Sequence, residues 1–288
     1  MVCTRPKRIY THATGETGML VPCNRCIACR IQKSNEWKIR LLLESFDHDD
    51  STFLTLTYSD EHCPLDFGLR KKDYQDFMKR LRYYLGDKKI KHYSVGEYGG
   101  DTSRPHFHSI IFGWYDSDFY LHHKEGSKSY FSSLVVDKAW PYGMNVIGTV
   151  TSQSIDYVCG YIRKKLYGQK AISEYGNREP PFQLFSKYLG LNYVIRNKEK
   201  IIKDQGIKLK GVNHGISKYF FNKICDSDEL REFIKLKTQL TNYSELLDYA
   251  ERRGIEGAQL YKEVLEDRLQ RERDNISRER LFNQRRKV

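Results

Sequence analysis

The sequence predicts an α+β fold: a central antiparallel β-sheet flanked by helices, with a helical C-terminal extension. Three observations carry this reading. Short runs rich in β-branched and aromatic residues, bounded by polar turns, recur between residues 50 and 168. Segments with apolar residues at helical spacing separate them, and two of the runs are joined by only Gly99-Gly-Asp101 and its neighbours, which suits a hairpin rather than a parallel crossover. Beyond Asp226 the chain becomes highly charged, with leucines at helical intervals.

Residues 1–29 lack clear periodicity and hold Gly15, Gly18, Pro22 and three closely spaced cysteines. From Arg30 to about Phe46, Ile31, Trp37, Leu41 and Leu42 recur as on a helix, which Asp47-His-Asp-Asp50 ends. Phe53–Tyr58 reads as a buried strand. Lys71–Leu85 reads as a helix with Tyr74, Phe77, Met78, Leu81 and Leu85 on one side, stopped by Gly86-Asp87. Strands follow at Ile90–Tyr98 and His106–Phe112, then a loop insertion over 114–130, a helix over Phe131–Trp140 and a strand over Met144–Val150. Ser152–Leu166 is helical, with Ser152 or Ser154 as its cap. The helices are expected on one face of the sheet. Residues 170–225 are mixed. The C-terminal helical pattern uses Leu230, Phe233, Leu236, Leu240, Leu246, Leu247, Leu260, Leu265 and Leu269, and the basic stretch Arg271–Val288 is expected to fray. There are no internal repeats.

The 288 residues suffice for a substantial core and one or two domains. No run approaches the ~20 apolar residues of a membrane span. The start, Met1 to Arg8, is basic with no apolar run behind it, so no signal peptide is expected. Lys and Arg number 49 against 37 Asp and Glu, a net charge of +12, which favours an anionic partner, nucleic acid first. The 21 Tyr and 3 Trp offer stacking surface for bases, although most such tyrosines serve ordinary cores and boundaries. Seven cysteines, an odd number at irregular spacing, suit a reducing compartment better than a disulfide framework.

His106 and His108 are two apart on a predicted strand, so both imidazoles share one face while Phe107 turns to the other. Two ring nitrogens there can reach one divalent ion, and Glu97, across the hairpin, supplies a hard third ligand. The plainer alternative has one ring on a backbone carbonyl and the other in solvent. Glu97 at hairpin distance and Arg104, placed for phosphate contact, favour the metal. His122 and His123 fall in the expected loop, and His12, His48, His62, His92 and His214 have no evident partners in the sequence.

Tyr157 and Tyr161 are one helical turn apart on a shared face, with Lys164 and Lys165 on the next turn. A phenol, with a pKa of about 10, attacks poorly unless a cation or a polarised phosphodiester assists it. A Tyr/Lys helix without chemistry is the ordinary alternative. Beside the histidine pair the set acquires a reaction: in-line attack on DNA phosphate, release of a 3′-hydroxyl and retention of the 5′-phosphate on tyrosine, with a second tyrosine for a second transfer.

These segments resemble the rolling-circle replication initiators of the HUH endonuclease superfamily, most closely those of small single-stranded DNA bacteriophages of the gokushovirus type. Phe53-Leu-Thr-Leu-Thr-Tyr58 is similar to the first motif, Arg104-Pro-His106-Phe-His108 to the metal motif, Ser94-Val-Gly-Glu97-Tyr-Gly99 to the segment before it, and Tyr157-Val-Cys-Gly-Tyr161-Ile-Arg-Lys164-Lys165 to the two-tyrosine motif. The resemblance spans roughly residues 20–225 and has the motifs in the family's order. It implies an HUH endonuclease-like core over 50–168, preceded by a cysteine-containing segment and first helix over 1–49 and followed by a mixed extension over 169–225 and a charged helical region over 226–288.

The resemblance further implies a site-specific endonuclease and strand transferase that joins ends without ATP. It implies Mg2+ or Mn2+ held by Glu97, His106 and His108, and Tyr161, Tyr157, Lys164 and Lys165 as catalytic residues. Single-stranded origin DNA and supercoiled replicative-form DNA would be its substrates, in the cytoplasm of the infected bacterium. Gly160 stands where related phage initiators can carry a lysine, so Tyr161, with Lys164 three residues on, is the first choice of nucleophile. The chain has no Gly-x-x-x-x-Gly-Lys motif, so unwinding is expected from a host helicase. Arg104, Arg163, Arg25 and Arg30 are candidate DNA contacts.

Cys23, Cys26 and Cys29 form Cys-x-x-Cys-x-x-Cys, and with Cys3 or His12 they can converge on a metal. Structural zinc is favoured because the segment has little core of its own, with iron–sulfur ligation and unliganded thiols as the alternatives. Cys63, Cys159 and Cys225 read as isolated packing residues. Three other functions compete: a nonenzymatic DNA-binding protein, a relaxase or transposase with the same chemistry, and a metal hydrolase that uses water and leaves no covalent intermediate.

Overall fold

A computed structural model of the chain describes residues 3–10, 19–100, 102–126, 128–204, 206–225, 251–252, 254 and 257–285. Its elements run β1 (Lys7–Ile9), β2 (Met19–Val21), α1 (Ile27–Ser45), β3 (Ser51–Tyr58), α2 (Lys71–Leu85), β4 (Lys91–Tyr98) and β5 (Pro105–Phe112). There follow β6 (Phe119–Glu125), β7 (Lys128–Ser133), α3 (Leu134–Ala139), β8 (Gly143–Thr149), α4 (Ser152–Lys164), α5 (Gln169–Tyr175), β9 (Phe182–Phe185) and α6 (Leu191–Arg196). The last are α7 (Lys198–Asp204), β10 (Ile207–Leu209), β11 (Val212–His214), α8 (Lys218–Ile224) and α9 (Gly257–Arg285). Two units emerge: Ser34–Asn197, and Met1–Lys33 together with Lys198–Val288.

The Ser34–Asn197 unit is built on a seven-stranded sheet in the order β6-β7-β8-β3-β5-β4-β9, antiparallel at every pairing. This is the expected α+β architecture. The helices, however, cover both faces rather than one. On the first face Leu54, Leu56, Phe107 and Ile111 pack against Tyr74, Phe77, Met78 and Leu81 of α2, Val136 and Ala139 of α3, and Trp140. On the second, Tyr93, Val95, Ile110 and Phe112 pack against Trp37 and Leu41 of α1 and Ile155, Val158 and Ile162 of α4. Central strands covered on both faces lose their apolar/polar alternation. Six of the eight residues of β4 and seven of the eight of β5 are buried accordingly.

The α2 pattern Tyr74, Phe77, Met78, Leu81 is the i, i+3, i+4, i+7 stripe of an amphipathic helix, and all four are buried. Gly86 ends it at φ 59°, where its N–H donates to Tyr83 O. The cap of α4 is neither Ser152 nor Ser154 but Thr151: its hydroxyl accepts from the Ser154 N–H, and Ser154 Oγ accepts from the Thr151 N–H at 2.7 Å. That reciprocal pair is a capping box, and it fixes where the helix with both tyrosines begins.

The expected loop over 114–130 is instead the hairpin β6–β7, turning at Gly126 with φ 57°. Its strand β6 is exposed almost throughout, so no alternation marked it in the sequence. The helix expected over Phe131–Trp140 starts only at Leu134, because β7 runs on to Ser133, whose hydroxyl caps α3. In the other unit β1 pairs with β2 and β10 with β11. The end expected to fray after Arg271 stays helical to Arg285, with Arg271 paired to Asp267 at 2.7 Å one turn back. Residues Leu230 to Leu247 of the C-terminal pattern lie outside the described residues.

Candidate metal centre and tyrosine pair

β5 lies between β3 and β4, and its register decides what surrounds the two histidines. His106 stands opposite Thr57 on one side and Glu97 on the other; His108 stands opposite Thr55 and Val95. Both imidazoles point to the sheet face covered by α4. His106 Nδ1 is 3.0 Å from the Arg104 carbonyl, which accepts its proton, and Nε2 lies 2.8 Å from Glu97 Oε1. His108 Nδ1 is 2.9 Å from Thr55 Oγ1, and its Nε2 is 3.5 Å from the same Glu97 oxygen.

One ligand atom from each of Glu97, His106 and His108 lies within 4.8 Å of the others. Burial alone would raise the Glu97 carboxyl, but hydrogen bonds and charge from both imidazoles outweigh it and hold it at about 2. Burial keeps the His108 imidazole on the neutral side of its usual range, against the pull of Glu97. A neutral imidazole and an ionised carboxylate are the forms that bind a cation. Arg104 O and Thr55 Oγ1 each hold the far nitrogen of one ring, which fixes the direction in which its Nε2 points. The donor set therefore fits a divalent ion, with coordination positions left for other oxygens.

α4 brings both tyrosines over this cluster. Tyr157 Oη is 3.3 Å from His108 Nε2, and Phe53 flanks its ring edge-on at 6.1 Å. Tyr161 stacks on His108 with ring centroids 5.4 Å apart and planes 7° apart. The two phenols meet edge to face at 5.2 Å. Tyr161 is 7% exposed, whereas Tyr157 is half-buried. Burial, reinforced by Glu97 and Tyr157, pushes the Tyr161 phenol far above its usual range. Lys164 Nζ sits 4.7 Å from the Tyr161 ring centroid.

The remaining candidates are dispersed. Lys165 caps α4 and lies 5.9 Å over the Tyr167 ring. Arg163 Nε donates to Ser34 Oγ at 3.2 Å, and Ser34 donates to Cys159 O at 2.9 Å, so this arginine ties α4 to α1. Arg104 is close to the cluster: Nη1 pairs with Asp60 at 2.6 Å and Nε donates to Tyr58 O at 3.2 Å. In the other unit Cys3, Cys23, Cys26 and Cys29 gather within 4.8 Å, with Arg25 exposed and Arg30 half-buried beside them. His12, the other suggested fourth ligand, lies outside the described residues.

His48, His62 and His92 do have partners: Glu44 at 2.7 Å, Ser59 at 2.9 Å and Ser94 at 3.0 Å. His122 and His123 lie on β6, where His123 stacks on Tyr130 at 4.5 Å. Sequence reasoning missed Thr55, Asp60 and Phe53 as neighbours of the cluster. Thr55 had one signal, its place two residues from Phe53 and from Thr57 on a strand, but only the β3–β5 register shows which histidine it meets.

Fold and site together define an α+β protein with a candidate divalent-metal centre on its central sheet and two tyrosines laid across it. The chain belongs to the replication-associated proteins of small single-stranded DNA phages. Residues 51–166 match a family model of replication-associated proteins, the one named for ORF2. The chain is 32% identical over 225 residues to replication-associated protein ORF2 of Spiroplasma virus 4, covering 74% of this chain and 68% of that one. It is 35% identical over 187 residues to replication-associated protein VP4 of Bdellovibrio phage phiMH2K, covering 58% and 59%. Identity to replication-associated protein ORF4 of Chlamydia phage 1 is 29% over 221 residues, covering 73% of this chain but 54% of that protein, so the chain spans little more than half of that relative. No solved structure matches it.

Proposed function

We propose that the chain is a rolling-circle replication initiator of the HUH endonuclease type, with residues 50–168 as its catalytic core. In this reading it nicks one strand at the phage origin, keeps the 5′ end on a tyrosine and rejoins the strand after a round of synthesis. The observation that carries the reading is the Tyr157 hydroxyl 3.3 Å from His108 Nε2, on the cluster of Glu97, His106 and His108.

Glu97, His106 and His108 would hold Mg2+ or Mn2+, which when bound supplies charge to a phosphate oxygen and favours attack at phosphorus. The chain's own residues account for the rest. A tyrosine Oη forms a bond to phosphorus as the P–O3′ bond breaks; the phenolic proton is lost and the departing O3′ leaves as a hydroxyl after protonation. The product is a 5′-phosphotyrosine, and attack by a 3′-hydroxyl on that ester restores the DNA without ATP. Tyr157 and Tyr161 are the two nucleophiles. Lys164 over Tyr161 favours phenolate on that residue, while Tyr157 has the more accessible hydroxyl in this conformation. Arg104, anchored at Asp60 beside the cluster, steers the scissile phosphate.

The net charge of +12 supports single-stranded origin DNA and the supercoiled replicative form as substrates. A host helicase would open the duplex, and the bacterial cytoplasm is where these partners meet. No helix among the described residues is long and apolar enough to cross a membrane.

The deciding experiment is incubation with labelled single-stranded origin DNA and Mn2+. A denaturation-resistant protein–DNA adduct, mapped by peptide analysis to Tyr157 or Tyr161, is the expected result. Cleavage without an adduct would replace this reading with a water-using hydrolase, and binding without cleavage would leave a DNA-binding protein.

A further inference from the structure

The amino-terminal segment holds its own chemistry. Among the described residues its one buried cluster is Cys3, Cys26, Ala28 and Cys29, with Cys23 packed on it. Four thiols and a methyl group cannot supply the apolar burial that orders a segment of this length. Something else must bring Cys3, ahead of β1, and Cys23, beyond β2, to the start of α1.

We propose that Cys3, Cys23, Cys26 and Cys29 are a tetrathiolate site for one zinc ion that staples this segment to the N-terminus of α1. All four sulfurs lie within 4.8 Å of one another, and all four cysteines are free thiols. Cys3 Sγ and Cys26 Sγ are 3.9 Å apart, far beyond a disulfide. Two thiolates about 2.3 Å from one ion at the tetrahedral angle stand about 3.8 Å apart, which is the spacing of this pair.

The backbone is shaped for thiolates. Asn24 takes φ 58°, a left-handed conformation that asparagine tolerates better than most residues. That turn points two successive amides at one sulfur: Arg25 N–H and Cys26 N–H both donate to Cys23 Sγ, at 3.5 and 3.3 Å. The Cys23 N–H in turn donates to Cys3 Sγ at 3.3 Å. Amide donors of this kind offset the negative charge that four thiolates leave around a divalent ion.

One ion suits the site better than an iron–sulfur cluster. Each iron of a cluster takes its own cysteine, so the sulfurs must stand farther apart than ligands sharing one ion. Zinc has no redox demand and prefers a closed tetrahedral sulfur set. The site involves none of Glu97, His106 or His108, so it stands whether or not the chain cleaves DNA.

Metal analysis of the full chain, purified under reducing conditions, tests the proposal. One zinc per chain is expected, retained in His106→Ala/His108→Ala and in Cys63→Ser, and lost in Cys26→Ser. Replacement by Co2+ in the unsubstituted chain is expected to give the intense thiolate-to-metal charge-transfer absorption and the visible bands of a tetrahedral sulfur site. That spectrum decides the matter even if Cys26→Ser fails to fold. No zinc in the reduced chain after added Zn2+, iron with acid-labile sulfide, zinc that leaves with the histidines instead of the cysteines, or a Co2+ form without thiolate charge transfer would each overturn it.

Discussion

Tyr161 lies nearly parallel to His108, its ring 5.4 Å away and only 7° out of plane, so one candidate nucleophile is packed as a lid on a candidate metal ligand. Tyr157, one turn earlier, meets the same imidazole edge-on and through its hydroxyl. The two phenols therefore play unequal parts in this conformation. Burial disfavours phenolate on Tyr161, and attack by it requires the stack to open.

That inequality gives the first prediction. Tyr157→Phe lowers the rate of the first adduct with single-stranded origin DNA by on the order of 10³-fold or more, since it removes the accessible nucleophile. Tyr161→Phe keeps a first adduct but loses the second transfer, the joining of a new 3′ end. Gel assays of adduct and of joined circles, run on both variants, separate the steps. If Tyr161→Phe alone abolished the first adduct, the lysine-assisted residue would be the initial nucleophile instead.

The cluster should fail in graded fashion as its supports are removed. Thr55→Val deletes the hydroxyl on His108 Nδ1 without touching a ligand atom. Mn2+ affinity is expected to drop about 10–100-fold, the usual cost of losing the hydrogen bond that orients a ligating imidazole. His106→Ala or Glu97→Ala should remove high-affinity binding altogether. Titration of free Mn2+ by its paramagnetic resonance signal measures all three. Equal affinity in Thr55→Val and the unsubstituted chain would show that the threonine has no orienting role.

Much of this was legible in the sequence, and the rest was not for identifiable reasons. The shared face of His106 and His108 follows from period two, and the reach of Glu97 follows from a hairpin short enough to fix register. Tyr157 and Tyr161 share a face because they are one helical turn apart. Lys165 falls off that face because α4 ends just before it, a boundary that spacing alone does not give. The β6–β7 hairpin stayed hidden because its exposed strand carries no apolar face, and the helices on the second face stayed hidden because doubly covered strands look uniformly apolar.

Acid should destabilise the Ser34–Asn197 unit through His92. Burial, and then the charge of Arg82, hold its imidazole down at about 4, whereas an unfolded histidine titrates near 6.5. As pH falls below about 6.5 the unfolded chain takes up a proton that the folded chain refuses until about 4. Stability from this group is thus complete above about 6.5, declines through that window by about 3 kcal/mol, and is level below it. Urea unfolding across the window, compared with His92→Gln, measures the difference; parallel pH profiles would remove His92 from the account.

A second group gives acid sensitivity at lower pH. Glu44 is fully buried, yet Lys91 Nζ, His48 Nε2 and the Gly190 N–H all lie 2.7 Å from its oxygens. Burial would raise this carboxyl, but Lys91, Gly190 and His48 together hold it below the usual range. Its contribution is present above the ordinary carboxylate range and disappears as pH falls through the depressed folded value. Glu44→Ala strands three donors and is expected to cost about 3 kcal/mol at neutral pH, since removing one member of a buried charged set leaves the rest uncompensated. In that variant the acid-induced loss below about pH 4.5 should shrink, and an unchanged profile would assign the low-pH loss to other carboxylates.

Arg104 allows DNA steering to be separated from catalysis. Its guanidinium is held at Asp60 and Tyr58 O, and its own carbonyl receives the His106 Nδ1 proton. Substituting the side chain leaves that carbonyl in place, so Arg104→Ala should not disturb the histidine. If the guanidinium contacts one phosphate, Arg104→Ala weakens single-stranded DNA binding evenly across sequences and reduces the slope of log affinity against log salt by about 0.7. Mn2+ affinity should stay unchanged in the same variant. Asp60→Asn frees the guanidinium from its 96%-exposed partner, and the salt slope should persist with some loss of positioning. Fluorescence anisotropy at several salt concentrations reads both slopes. A salt slope in Arg104→Ala equal to that of the unsubstituted chain would mean that Arg104 serves only to brace the β3–β5 edge around Tyr58, and that another cation meets the phosphate.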